Sequence, residues 1–155
     1  MAEAYWAAER LDEAEPLACD LIEQWGGRRS REVAACHHLL GSIAEKRRDV
    51  DAALGHYEKA HRIDGAAGTT LAALGRLYMT SGDMEAARRI YRSMLLQSPQ
   101  PEWGVTRAGV FAQLGRIHDA LGEKAKARTM FERGLEVDPE DTALQEALDA
   151  LDQDA

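Results

Sequence analysis

The dipeptide Leu-Gly occurs at Leu40-Gly41, Leu74-Gly75 and Leu114-Gly115, and each copy is followed by the same residues in the same register. Twelve residues after the glycine stands Ala53, Ala87 or Ala127, and four further on an aromatic, Tyr57, Tyr91 or Phe131. Eight beyond the aromatic comes Gly65, Pro99 or Pro139. A repeat of this length is one supersecondary unit that cannot bury its apolar face alone, so neighbouring copies must stack into a continuous core. Such a chain is read for what it displays along the stack rather than for a single catalytic pocket.

Extended to the flanking residues, the three copies read His37-x2-Leu40-Gly41-x2-Ala44, Leu71-x2-Leu74-Gly75-x2-Tyr78 and Phe111-x2-Leu114-Gly115-x2-His118. With the Ala, aromatic and Pro that follow, this pattern resembles the tetratricopeptide repeat (TPR), whose signature is Trp-x2-Leu-Gly-x2-Tyr, then Ala, an aromatic and Pro. The Trp is replaced each time, and only Tyr78 keeps the first Tyr. Gly82-Asp83 and Gly122-Glu123 stand where such repeats turn between helices. The first step of the ladder is 34 residues, the family period, and the second is 40, which places six extra residues around Gln100 to Val105. The resemblance implies an all-α fold, a right-handed α-solenoid of helix-turn-helix repeats with a C-terminal capping helix. It also implies a non-catalytic adaptor or scaffold that binds a partner segment in its concave groove.

The expected organisation is a single repeat domain over 1–155. A partial or atypical first repeat occupies 1–27, with Tyr5 as its core aromatic and Ala14, Ala18 and Leu21 at helical spacing over 11–25. Pro16 is expected near the start of that helix, where a missing amide costs least. Complete repeats follow at 31–65, 66–99 and 104–139, with helices over 31–47, 50–63, 66–81, 84–97, 104–121 and 124–137. Ser30 is a candidate N-cap after the loop Gly26-Gly27-Arg28-Arg29. Asp138-Pro139 reads as the cap and first-turn Pro of a last helix, which closes the stack over 140–153 with an acidic outer face. The chain opens part-way through a first helix, which fits a piece cut from a longer protein or an atypical first pair beginning at Met1.

Composition narrows the classes of function. No apolar run approaches the ~18 residues of a membrane span, and the start lacks the basic and apolar regions of a secretory signal. Cys19 and Cys36 read as reduced, buried small residues rather than a disulfide, so a cytoplasmic setting is expected. The net charge of -8 conceals an asymmetry: residues 1–25 sum to -6, residues 135–155 to -8, and the stretch between to +6. Such asymmetry bears on partners and not on fold. The basic runs Arg28-Arg29-Ser30-Arg31 and Lys46-Arg47-Arg48 are short and lack interleaved aromatics, so no nucleic-acid binding is expected. No phosphate loop, metal motif or nucleophile elbow is present, and no enzyme activity, cofactor or metal is expected. His118, in a core Tyr position, reads as a satisfied core-edge residue.

The resemblance places the groove on the first helix of each pair. Its inward residues are His38, Ser42, Glu45 and Lys46 in the first complete repeat, Arg76, Met79 and Thr80 in the second, and Arg116 and Asp119 in the third, with Ala72, Ala112 and Ala120 completing the set. Arg76 and Arg116 are equivalent, roughly one helix spacing (about 10 Å) apart in a regular stack. Two guanidiniums so placed fork onto acidic side chains or a C-terminal carboxylate of a partner peptide. Family members that bind chaperone C-termini use a set of Lys and Asn. The matching positions here hold His38, Ser42, Ala73, Gly109 and Gln113, so chaperone binding is not expected. Secondary contacts are expected at Trp103, inside the insertion, and at Arg88 and Arg128, equivalent residues of a basic strip on the second helices with Arg89, Arg92, Lys124, Lys126 and Arg133. Trp6 lies outside the repeat signature, as do Trp25 and Trp103, which flank the irregular connections and read as pinning those loops onto the stack. A different class stays open: a self-assembling module, a homo-oligomer in which the basic middle of one copy meets the acidic ends of another. A regulatory domain of a longer polypeptide is a further alternative.

Overall fold

Segments of 12 to 16 residues, five of them entered by a capping side chain, become the helices of the described residues. The computed structural model describes residues 10–25 and 30–153. Expectations placed on Tyr5, Trp6 and residues 26–29 lie outside this set. Among the described residues the elements are α1 (Leu11–Gln24), α2 (Arg31–Lys46), α3 (Val50–Ile63), α4 (Gly68–Ser81), α5 (Met84–Leu96), α6 (Arg107–Ala120), α7 (Lys124–Val137) and α8 (Thr142–Gln153). A 3-10 turn, Pro101–Trp103, separates α5 from α6, and no strand is present among them. The chain divides into two compact units, Met1–Leu74 and Gly75–Ala155, the boundary falling within α4.

In the first unit α2 packs on α3, and α1 rests Ala14 and Ala18 against Leu39, Leu40 and Ile43. The Leu-Gly glycine explains the closeness of the helix pair: a Cβ on Gly41 would stand 2.8 Å from the Tyr57 ring. The second unit repeats the device, with 2.8 Å from Gly75 to Tyr91 and 2.2 Å from Gly115 to Phe131. Each aromatic therefore lies on the glycine of its own repeat. All three rings are buried, each worth roughly 2–3 kcal/mol of transfer from water. Ala53, Ala87 and Ala127 are fully buried beside them, leaving no room for a longer side chain. A fourth close approach closes the second unit: a Cβ on Gly134 would stand 2.7 Å from Leu144, which with Leu151 of α8 covers Ala127 and Phe131.

Capping fixes the helix starts. Ser30 Oγ accepts from the Val33 amide at 3.3 Å, Asp49 from Ala52 at 3.0 Å, Asp83 from Ala86 at 2.9 Å and Thr106 from Gly109 at 3.0 Å. Four details differ from expectation. Helix α6 starts at Arg107 rather than 104, because Gly104 takes a left-handed φ of 70° and Thr106 supplies the cap. Helix α4 starts at Gly68 rather than 66. The last helix is capped by Asp141, whose Oδ1 accepts from Ala143 at 3.0 Å and Leu144 at 3.1 Å, while Asp138 ends α7. Pro16 sits in the second turn of α1, where its ring nitrogen donates nothing to the Asp12 carbonyl. Between the helices of each pair the chain passes through positive φ at Gly82 (82°) and Gly122 (74°), and the equivalent residue of the first repeat is Arg48 (62°). Glycine takes this conformation without penalty, whereas Arg48 holds it at a cost.

His118 is buried and its Nδ1 lies 2.5 Å from Glu123 Oε2, as a satisfied core-edge residue should. Glu123 also accepts from Lys126 at 2.7 Å and lies 3.5 Å from Arg88. The Lys126 bond first, and the His118 bond second, hold the Glu123 carboxyl down to about 2, from an ordinary 4.5. A depressed carboxyl stabilises the fold fully above the unfolded value and loses that contribution as pH falls through the folded one. Thermal unfolding between pH 5 and pH 2.5 should therefore show a steeper loss in the wild-type chain than in Glu123→Gln. Parallel curves would remove the network from the acid response.

Cys19 is exposed, contrary to expectation, because it lies on the face of α1 turned away from Ala14 and Ala18. Cys36 is half-buried against the core that α1 and α2 share.

Candidate functional site

The residue after each Leu-Gly glycine is Ser42, Arg76 or Arg116, and its surroundings differ between the two units. In the first, Ser42 Oγ donates to the His38 carbonyl at 3.1 Å and lies 2.9 Å from the Tyr57 hydroxyl. That hydroxyl donates to Glu45 Oε2 at 2.7 Å. His38 Nδ1 is 3.0 Å from Thr70 Oγ1, and its ring centroid is 5.1 Å from that of Tyr57. Burial holds the imidazole below its ordinary 6.5, with Glu45 acting the other way, so His38 is neutral at pH 7. His38, Ser42 and Thr70 line a cavity of about 450 Å³ floored by Ala34, Ala35 and Leu39. Thr70 itself is 2% exposed. Arg31 and Asp64, whose side chains lie 3.8 Å apart, also line the cavity. Lys46 is exposed in the last turn of α2.

The second unit has the opposite character. Arg76 on α4 and Arg116 on α6 are both exposed, and both act on the Tyr91 hydroxyl. Burial pushes that hydroxyl above its ordinary 10, while Arg76 and Arg116 pull it down. The two arginines that the repeat register makes equivalent thus both bring positive charge near the Tyr91 side chain. Asp119, one turn along α6, is exposed and does not pair with Arg116, which has no ion pair among the described residues. Thr80 is exposed, its Oγ1 donating to the Arg76 carbonyl at 3.0 Å, and Met79 is half-buried.

Expected secondary contacts fare differently. Arg88 pairs with Glu85 at 2.6 Å and with Glu123 at 3.5 Å, and Arg128 pairs with Asp152. Both are thus held by carboxylates of the same unit. Trp103 is half-buried in the 3-10 turn, its amide donating to the Gln100 carbonyl at 3.0 Å. Trp25 is half-buried at the end of α1. Arg47, from the second basic run, pairs with Glu15 at 2.7 Å and Asp12 at 3.1 Å. Tyr91 stands at the aromatic position of its repeat, and the charges of Arg76 and Arg116 reach its hydroxyl. Its signal is a hydroxyl at the repeat position where the third copy carries Phe131.

Paired helices joined by αL turns, with small residues where they touch and variable polar residues on the first helix, define an all-α helical-repeat protein. Family models described as "Tetratricopeptide repeat" match residues 1–68, 44–108 and 108–141. The chain belongs to the tetratricopeptide repeat family. Its fold is similar to that of the crystal structure of MamA, with a TM-score of 0.76 at 14% identity over 97% of this chain and 82% of that one. The first TPR of Spaghetti (RPAP3) bound to the HSP90 peptide SRMEEVD gives 0.66 at 17% identity, over 80% and 94%. YrrB, a TPR protein with an unusual peptide-binding site, gives 0.68 at 18%, over 94% and 70%. At these identities the likeness is one of fold. No curated protein matches the sequence.

Proposed function

We propose that this chain is a non-catalytic protein-interaction module whose second unit receives acidic side chains, or a C-terminal carboxylate, of a partner segment. Arg76 and Arg116 supply the charge, and the Tyr91 hydroxyl is a third polar group beside them. Met79 and Thr80 adjust the fit. The single observation that carries this reading is that Arg76 and Arg116, equivalent in the repeat register, are both exposed, with Arg116 in no ion pair among the described residues. A carboxylate there gains charge-assisted, bidentate hydrogen bonds that water exchanges poorly. The solved relatives support a peptide as ligand, since one binds SRMEEVD and another has a peptide-binding site. Chaperone C-termini are not the proposed ligand, because His38, Ser42, Ala73, Gly109 and Gln113 stand where that recognition needs Lys and Asn.

An array of synthetic peptides, graded in acid content and with free or amidated C-termini, tests the reading when probed with the purified chain. Binding is expected to rise with acid content and to fall when salt is raised. Retention independent of acid content would overturn the assignment to the arginines.

A further inference from the structure

Arg89, Arg92 and Leu96 stand at i, i+3 and i+7 on α5, one stripe along its exposed face. Leu96 is 88% exposed, the most exposed large hydrophobic side chain among the described residues. Arg89 and Arg92 are exposed and take part in no ion pair among those residues, unlike neighbouring Arg88. On α8, Glu146 and Asp149 stand i, i+3 on an exposed face that also shows Thr142 and Ala143. Neither carboxylate is in an ion pair among the described residues, and Asp149 accepts a hydrogen bond from Gln145 at 3.0 Å. The surrounding stretch, residues 135–155, carries eight acids and no base.

We propose that α5 of one copy docks antiparallel on α8 of a second copy. The antiparallel register that sets Arg92 against Glu146 also sets Arg89 against Asp149 and brings Leu96 onto Thr142 and Ala143. The pairing satisfies both arginines and covers the leucine with side chains small enough to admit it. The two patches are different surfaces, so the contact is heterologous and leaves one α5 and one α8 free on each pair, which allows a chain of copies to grow. Two exposed ion pairs and one leucine make a small contact, so association is weak and controlled by salt. The proposal uses neither Arg76 nor Arg116 and stands or falls apart from the peptide-binding reading.

Sedimentation velocity of the full chain from about 10 µM to about 1 mM tests it, since a contact of this size is read at such concentrations. At low salt the mean mass should rise with concentration, and association should weaken by about tenfold or more at roughly 0.5 M salt. Arg89→Glu/Arg92→Glu should stay monomeric, as should Glu146→Lys/Asp149→Lys. An equimolar mixture of the two variants should recover association, because each supplies the surface that the other's reversed charges need. All four positions are exposed, and an unchanged circular dichroism spectrum would show both variants folded. A wild-type chain monomeric throughout, self-association unaffected by the variants, or no recovery in the mixture would each overturn the proposal.

Discussion

Replacing Gly115 by alanine is expected to lower the thermal midpoint by roughly 4–8 °C, the largest single effect on stability that the repeat register predicts. The added methyl would stand 2.2 Å from Phe131, a ring 3% exposed with no path to swing aside. Overpacking of this kind costs about 1–3 kcal/mol, with the tightest contacts above that range, and alanine's better helix propensity returns about 1 kcal/mol. The net is about 2 kcal/mol. At Gly41 and Gly75 the contact is 2.8 Å and the loss should be smaller. Gly55 is the control. It lies inside α3 with nothing within 4 Å of a Cβ, so Gly55→Ala should raise stability by about 0.5–1 kcal/mol. Opposite signs at Gly115 and Gly55 in one calorimetric series would show that the Leu-Gly glycine exists for the aromatic sixteen residues on. Shifts of the same sign would show that backbone entropy alone decides.

Reversing both charges, Arg76→Glu/Arg116→Glu, is expected to weaken capture of an acidic peptide by about 100-fold or more while helical content stays unchanged. Each charge-assisted hydrogen bond lost is worth about 1.5 kcal/mol at the low end suited to exposed groups, and the new carboxylates add repulsion. Every 1.4 kcal/mol is about a tenfold change in affinity. Exposed substitutions of this kind alter folding by only about 0.5 kcal/mol. Tyr91→Phe should cost less, since it removes one neutral partner and leaves a ring that the third repeat already accommodates as Phe131. Calorimetric titration of an array-selected acidic peptide into each variant reads both effects. Equal affinities across the wild-type chain and both variants would move recognition elsewhere.

Repeated residues made the fold legible and unrepeated ones hid the site. Leu-Gly, the buried alanine and the aromatic recur because stacking needs them at each step, so three copies disclosed the helix pairs and the family. The helix ends were less legible. Asp138-Pro139 resembles a cap, but the peptide groups of Ala143 and Leu144 find Asp141 instead. Gly104 looks like a helix start until its positive φ is seen. At the proposed site, Arg76 and Arg116 were visible as equivalent residues, whereas their exposure and partners depend on the folded arrangement, which no spacing rule supplies. The ion pairs of Arg88 and Arg128 were hidden in the sequence for the same reason. The acids that hold them, Glu123 and Asp152, lie far along the chain, and only the folded structure brings them together.

Comparative affinity capture from the native host, with the wild-type chain and Arg76→Glu/Arg116→Glu as baits, tests most directly whether the second unit recognises an acidic protein segment. The account predicts a partner retained by the wild type, lost with the variant, and displaced from the wild type by a synthetic peptide of its acidic segment. Equal recovery of the same proteins by both baits would contradict it.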